Sequence, residues 1–214
     1  MVRVAINGFG RIGRRVFRLL LSHPTIEVVA INDLADAKTL THLLKYDSIH
    51  GTLKNNISCD DTHIIIDGHA IPVLNKTHPK NLNWVPYNVD IVVESTGKFK
   101  TKKELTHHIN NGATKVILSV PPIDDGLKTI VLGVNDNVLD TKDIIISNAS
   151  CTTNNAAPMV SIINELCGIN QAYITTVHSY TTDQSLHDQP HKDLRRARAA
   201  GQSIVPTTTG AAKA

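Results

Sequence analysis

The run from Val2 to Val16 constrains the fold more than any other part of the chain. Val2-Arg3-Val4-Ala5-Ile6 reads as a short strand, and it enters Asn7-Gly8-Phe9-Gly10-Arg11-Ile12-Gly13-Arg14-Arg15-Val16 without a break. Gly8, Gly10 and Gly13 have the spacing of a dinucleotide-binding turn, in which one glycine makes the turn, one lets backbone approach a pyrophosphate, and one lets helix pack on strand. The spacing alone is weak. Here it follows a strand and opens a helix with Val16, Phe17, Leu19 and Leu20 on one side. A second strand, Glu27 to Asn32, then ends in Asp33. A carboxylate at that point accepts hydrogen bonds from ribose hydroxyls and repels a 2′-phosphate, which favours NAD over NADP. The competing reading of Asp33 is a helix N-cap.

Strand and helix signals alternate beyond it. A helix is expected through Thr39, Leu40, Leu43 and Leu44. Ile64-Ile65-Ile66 and Ile71-Pro72-Val73-Leu74, joined by Asp67-Gly68, form a hairpin signal. Asp90 to Ser95 reads as a buried strand leading into Thr96-Gly97, Thr101 to about Asn111 as a helix, and Lys115 to Ser119 as a strand. Two more short strands, Thr129 to Val134 and Ile144 to Ser147, deliver the chain to Cys151. This alternation predicts an α/β chain that opens with a doubly wound Rossmann-type NAD-binding domain over residues 1–150.

Cys151 lies in Ser147-Asn148-Ala149-Ser150-Cys151-Thr152-Thr153-Asn154, and the apolar stretch from Ala156 to Leu166 reads as a helix behind it. A sulfur at a helix start meets unsatisfied N–H groups and the positive end of the macrodipole, which favour thiolate over thiol. A structural cysteine would keep Val, Leu or Ile beside it, whereas these neighbours are small and polar. His178 ends the strand-like Tyr173-Ile174-Thr175-Thr176-Val177, at the edge where open α/β sheets gather ligands. Cys151 and His178 are therefore candidates for a nucleophile and its base.

With these pieces in place the chain resembles the phosphorylating glyceraldehyde-3-phosphate dehydrogenases of bacterial type, end to end. The resemblance is carried by Asn7 to Arg14, Asn32-Asp33-Leu34, Leu43 to Ser48 with Gly51, Val92 to Gly97, Ser147 to Asn154, Thr176 to Tyr180, His191 to Ala200, and Thr208 to Lys213. It implies an incomplete α+β catalytic domain beginning at residues 151–214. It also implies cofactor contacts at Asn7, Gly8, Gly10, Arg11, Ile12, Asp33, Thr77, Ser95, Thr96, Gly97 and Ser119. Leu34 and Pro190 resemble the NAD-specific members. By the same resemblance Ser150, Thr152, Thr209 and Gly210 bind the attacking phosphate, while Thr181 and a loop arginine, Arg196, bind the substrate phosphate. Implied partners are glyceraldehyde 3-phosphate and inorganic phosphate, within a homotetramer. Two departures stand out: Asn155 replaces a second Cys common in the family, and Thr77 stands where many relatives carry Arg, leaving a backbone contact there.

The family continues well past Ala214, through further strands, a second phosphate-binding Arg, an Asn for the nicotinamide carboxamide and a covering helix, so the chain reads as a partial sequence or truncated gene. On its own it is expected to expose strand edges and apolar faces and to turn over no substrate. Residues 179–203 have little periodicity and hold Asp183, His187, Asp188, Pro190, His191, Lys192, Arg195, Arg196 and Arg198. They resemble the family's S-loop, which packs at a subunit interface near a neighbour's cofactor; a solvated basic surface is the alternative. Erythrose-4-phosphate dehydrogenase is a near neighbour in sequence. A non-catalytic NAD-binding module and a surface-interaction role complete the set of readings.

Composition adds bounds. With 41% hydrophobic and 19% charged residues and a net charge of +3, the chain fits a soluble enzyme, and a pI near 8.7 gives no support for nucleic-acid binding as a main role. No apolar run approaches the roughly 18 residues of a membrane span, and the cytoplasm is expected. Cys59, Cys151 and Cys167 are an odd set without metal-ligand spacing, so reduced thiols and no metal site are expected. The remaining histidines, His107-His108 among them, show no metal-binding periodicity, and neither internal repeats nor low-complexity segments are visible.

Overall fold

In the computed structural model, which describes residues 1–207, the chain divides into two compact units, Met1–Ser150 and a second that begins at Cys151. The first begins with β1 (Val2–Asn7), α1 (Arg11–Leu20), β2 (Ile26–Asn32) and α2 (Ala37–Lys45). The two-residue strands β3 (Tyr46–Asp47) and β4 (Gly51–Thr52) pair with each other, and β5 (Ile57–Cys59), β6 (His63–Ile66) and β7 (His69–Leu74) form an antiparallel meander. Then come β8 (Ile91–Glu94), α3 (Lys102–Asn110), β9 (Lys115–Leu118), β10 (Lys128–Thr129) and β11 (Ile145–Ser147).

Nine strands make one sheet in the order β10-β11-β9-β8-β1-β2-β7-β6-β5, parallel from β10 to β7 and antiparallel at β7-β6-β5. From β1 the chain first builds outward through β2 and then returns to lay β8 on the other flank. The loops leaving β1 and β8 therefore diverge, and a crevice opens at the carboxyl ends of the central strands.

Both faces of the sheet are covered, as central parallel strands require. Val4, Ile6 and Ile31 pack with Phe17 of α1 and Leu40 and Leu44 of α2, and the Phe9 and Phe17 rings meet edge to face with centroids 5.4 Å apart. On the other face Ala5, Ala30, Val92 and Val116 pack with Leu105 of α3 and with Trp84. Local signals agree with this architecture. Asp36 caps α2 through Thr39 N–H, and Thr101 and Glu104 form a capping box on α3. Asp67 (φ 49°) and Gly68 (φ 86°) supply the left-handed pair that a two-residue hairpin between β6 and β7 needs.

One expected strand is shorter in the structure. Pairing over Thr129 to Val134 is confined to β10 and Ile130 N–H, which bonds Ser147 O, before Asn135 Oδ1 takes the Val131 N–H and Asp136 Oδ1 the Gly133 N–H. Those side chains bend the backbone away from the sheet.

The second unit opens with α4 (Cys151–Cys167), which ends on Gly168 (φ 69°) with its N–H on Asn164 O. The strand expected over Tyr173 to Val177 is not formed. No neighbouring strand pairs with it among the described residues, and Tyr173 and Val177 are 89% and 99% exposed. β-branched residues favour a pleated, half-buried surface, and without a ladder they have none. From there to residue 207 the chain is irregular apart from a turn of 3₁₀-helix at Leu194–Arg196, capped by Asp193.

Candidate active site

The crevice of the first unit encloses about 210 Å3 and is lined by Asn7, Gly8, Gly10, Asn32, Asp33, Leu34, Lys76, Thr77, Ser95, Thr96, Lys98 and Phe99. Its floor is the glycine turn, where the three glycines have different physical reasons. Gly8 has φ 93°, and a Cβ there would lie 2.5 Å from Thr96 N. A Cβ on Gly13 would lie 2.1 Å from Gly8 O, so α1 reaches its position against β1 only because that Cβ is missing. A Cβ on Gly10 would meet nothing within 4 Å, which leaves open room on the crevice side of the turn.

Gly10 is also the N-cap of α1, with no side-chain cap and no acid in the first turn. The first intrahelical bond is Arg14 N–H to Gly10 O at 3.0 Å. The N–H groups before it form the kind of electropositive terminus that binds phosphate oxygens. Ser95 fastens the turn to β8 by donating its hydroxyl to Gly8 O at 2.7 Å. Asp33 accepts the Phe9 N–H at 2.7 Å and the Ala35 N–H at 3.1 Å, so its carboxylate is held at the crevice rim between the turn and the end of β2. Asp36, not Asp33, caps α2. Phe99 gives an apolar wall backed by His78, their ring centroids 5.0 Å apart. Hydroxyls, an accepting carboxylate, helix-start N–H donors and an aromatic wall are the groups that a dinucleotide's ribose, pyrophosphate and base require.

The second unit carries a reactive pair. Cys151 is the first residue of α4, and its Sγ lies 3.3 Å from His178 Nε2. His178 Nδ1 donates to Ser179 O at 2.6 Å, which fixes the ring and turns Nε2 toward sulfur. The His178 contact lowers the Cys151 pKa against the opposing effect of burial, and the Thr152 hydroxyl assists. The same contact raises the His178 pKa, and the bond to Ser179 O adds to it. The shifts favour a thiolate–imidazolium pair, the activated form of a cysteine nucleophile.

Residues 2–102 match the family model described as glyceraldehyde 3-phosphate dehydrogenase, NAD binding domain, and residues 150–214 match that for the C-terminal domain. Over its whole length the chain is 55% identical to glyceraldehyde-3-phosphate dehydrogenase of Geobacillus stearothermophilus, 53% to that of Mycoplasma pneumoniae and 51% to that of Thermotoga maritima. The chain belongs to the glyceraldehyde-3-phosphate dehydrogenase family. It spans about 64% of the length of the Geobacillus relative, 63% of the Mycoplasma one and 65% of the Thermotoga one.

Among the residues that family resemblance singles out, Asn7, Gly8, Gly10, Asp33, Thr77, Ser95 and Thr96 meet in the crevice. Arg11, Ile12, Gly97 and Ser119 are not part of its lining. Arg11 is ion-paired with Asp47, Ile12 is half exposed in the first turn of α1, Gly97 sits between Thr96 and Lys98 with φ 69°, and Ser119 N–H bonds Glu94 O at the end of β9. In the second unit Thr152 adjoins the Cys151 sulfur, with 4.0 Å between Oγ1 and Sγ. Thr181 directs its N–H and hydroxyl to Gln184 Oε1, and Arg196 is ion-paired with Asp183 while its Nε donates to Thr207. Ser150 closes the first unit, half-buried. Thr209 and Gly210 lie outside the described residues.

The crevice takes in four residues that the sequence does not single out for the cofactor, Asn32, Lys76, Lys98 and Phe99, and also Leu34, which it links to NAD only through resemblance to the NAD-specific members. Asn32 and Leu34 flank Asp33, and Lys98 and Phe99 follow Gly97. Position just past the carboxyl end of a parallel strand is the signal that finds them.

Proposed function

We propose that this chain is part of a NAD-dependent oxidoreductase that converts glyceraldehyde 3-phosphate and inorganic phosphate to 1,3-bisphosphoglycerate. The carrying observation is the 3.3 Å contact between Cys151 Sγ and His178 Nε2 at the start of α4, in a chain whose other unit has a crevice lined by the glycine turn and Asp33. The uncapped, acid-free start of α1, the open space over Gly10 and the tethered Asp33 carboxylate fit NAD. Asn7, Gly8, Gly10, Asp33, Ser95 and Thr96 would hold it, with Arg11 and Ile12 offering first-turn N–H groups.

The Cys151 thiolate adds to the aldehyde carbon and gives a hemithioacetal. His178, as imidazolium, first keeps the sulfur ionised; once it has given up its proton, Nε2 is the base that removes the hydroxyl proton. NAD, when bound, supplies the two-electron acceptor that takes the hemithioacetal to the thioester. Sulfur suits both halves of the cycle because it is strongly nucleophilic and also a good leaving group when phosphate attacks the acyl carbon. Ser150, Thr152, Thr209 and Gly210 are proposed to bind that phosphate, and Thr181 with Arg196 the phosphate of the substrate. The proposal extends to a homotetramer, which rests on the family resemblance, and to a cytoplasmic location, which rests on the sequence expectation alone.

The test is turnover by the full-length gene product. NADH formation from glyceraldehyde 3-phosphate, NAD and phosphate is expected, with loss of the reaction in Cys151→Ser. Oxidation that survives Cys151→Ser refutes the assigned chemistry.

A further inference from the structure

Beneath the crevice lies a run of buried polar side chains, and the role inferred for it rests on reading the space above as a NAD site. Glu94 closes the apolar strand β8 and is 0% exposed. A buried carboxylate survives only with its oxygens satisfied, and four donors reach this one. Asn7 Nδ2 and His108 Nε2 serve Oε2, and the Thr96 N–H and hydroxyl serve Oε1. His108 and Trp84 are also fully buried, and Trp84 Nε1 approaches His108 Nδ1 at 3.1 Å. An indole nitrogen only donates, so Nδ1 is the acceptor, the proton sits on Nε2, and that proton points at Glu94.

On the other flank Asn7 Oδ1 accepts from Asn32 Nδ2 at 2.7 Å. Asn32 in turn brackets the Lys76 backbone, taking its N–H at 2.8 Å and donating to its carbonyl at 3.0 Å. The series Trp84, His108, Glu94, Asn7, Asn32, Lys76 thus passes under the carboxyl ends of β8, β1, β2 and β7, which are adjacent in the sheet. Asn7, Asn32 and Lys76 from this series, and Thr96 bound to Glu94, are themselves crevice residues. Glu94 is the member that only accepts, so donors converge on it from both sides.

We propose that Glu94, oriented by His108, is the positioning residue of the crevice. Its carboxylate fixes the Asn7 amide and the Thr96 loop, so the ends of four strands present their NAD contacts already arranged, while neither Glu94 nor His108 touches the cofactor. A purely space-filling role predicts different behaviour. Glu94→Gln keeps the shape but sets an amide N–H against Thr96 N–H or against the Asn7 and His108 donors. His108→Gln keeps one acceptor for Trp84 and one donor for Glu94, whereas His108→Met fills the volume and keeps neither.

The experiment uses the full-length protein, NAD titration, and steady-state kinetics with glyceraldehyde 3-phosphate. Losing an arranged, charge-assisted contact predicts that Kd and KM for NAD rise about tenfold or more in Glu94→Gln, with kcat at saturating NAD within about twofold of wild type. His108→Gln should stay within about threefold of wild type, and His108→Met should follow Glu94→Gln. If Glu94→Gln does not fold, the His108 pair decides. NAD affinity unchanged in Glu94→Gln, or equal in His108→Met and His108→Gln, overturns the positioning role. A wild-type protein that binds no NAD overturns the crevice reading and this inference together, and unaffected variants of a wild type that does bind overturn this inference alone.

Discussion

Gly10 and Gly13 belong to one motif, yet alanine at each should give opposite signatures. A Cβ on Gly13 lies 2.1 Å from Gly8 O and 3.1 Å from both Gly8 C and Ile6 Cγ2, so the start of α1 must retreat by roughly 1 Å to restore ordinary contact. Overpacking of this kind costs about 1–3 kcal/mol, and a clash of Cβ with backbone belongs at the upper end. The better helix propensity of alanine returns about 1 kcal/mol, which leaves a net loss of about 2 kcal/mol. For a unit of about 150 residues, the size of the first one, that lowers its melting temperature by about 4–8 °C. The retreat also withdraws the first-turn N–H groups, so NAD affinity should fall roughly tenfold. Gly10 has φ −72° and open space around its missing Cβ, so alanine should change stability by less than about 0.5 kcal/mol. Its methyl group nevertheless enters the crevice and should reduce NAD affinity at least as much. Thermal unfolding without cofactor and NAD titration, on both variants of the full-length protein, separate the effects. If Gly13→Ala melts with wild type, or Gly10→Ala melts several degrees early while binding NAD normally, the assignment of the glycines is wrong.

Iodoacetate at neutral pH should label Cys151 well before half-buried Cys59 and exposed Cys167, because the His178 contact, outweighing burial, lowers its pKa; His178→Asn should move the labelling profile back toward ordinary thiol pH, and equal labelling of all three refutes the pairing. Asp33→Ala removes a like charge facing a 2′-phosphate and also the acceptor of the Phe9 N–H, so preference for NAD over NADP should shrink by about 1–3 kcal/mol in kcat/KM; unchanged preference would limit Asp33 to anchoring the turn. Burial pushes the Asp47 carboxyl up, but the His50 and Ile49 N–H groups and the Arg11 guanidinium outweigh it and hold the pKa at about 2. A depressed carboxyl adds stability above its unfolded value, so up to about 2 kcal/mol should be lost as pH falls from roughly 4 toward 2, and denaturant titrations should show that slope flattened in Asp47→Asn.

Where local chemistry decides conformation, the sequence was readable. The strand and glycine turn at Val2–Gly13, the Asp67-Gly68 hairpin, the helix from Thr101 to about Asn111 and a helix behind Cys151 all rest on contacts within a few residues, and all are present. Where conformation depends on a distant partner, the reading failed. Tyr173 to Val177 has strand composition but no ladder among the described residues, and Thr129 to Val134 gives way after Ile130 to side-chain bonds from Asn135 and Asp136. The paired site followed the same division. Cys151 stood out through its polar neighbours and His178 through its place in the chain, but only three-dimensional geometry brings Sγ and Nε2 to 3.3 Å. Glu94 marks the opposite limit. An acid closing the apolar run Ile91-Val92-Val93 is a visible anomaly, because burying it demands donors, yet beside the neighbouring Thr96 those donors come from Asn7 and His108 on separate segments. His108 carried no signal of its own, since a histidine beside another on a helix is ordinary until one of the two proves to be fully buried. The sequence can thus announce that a buried charge must be satisfied, but the fold alone names what satisfies it, and here the answer joins four strand ends into one surface.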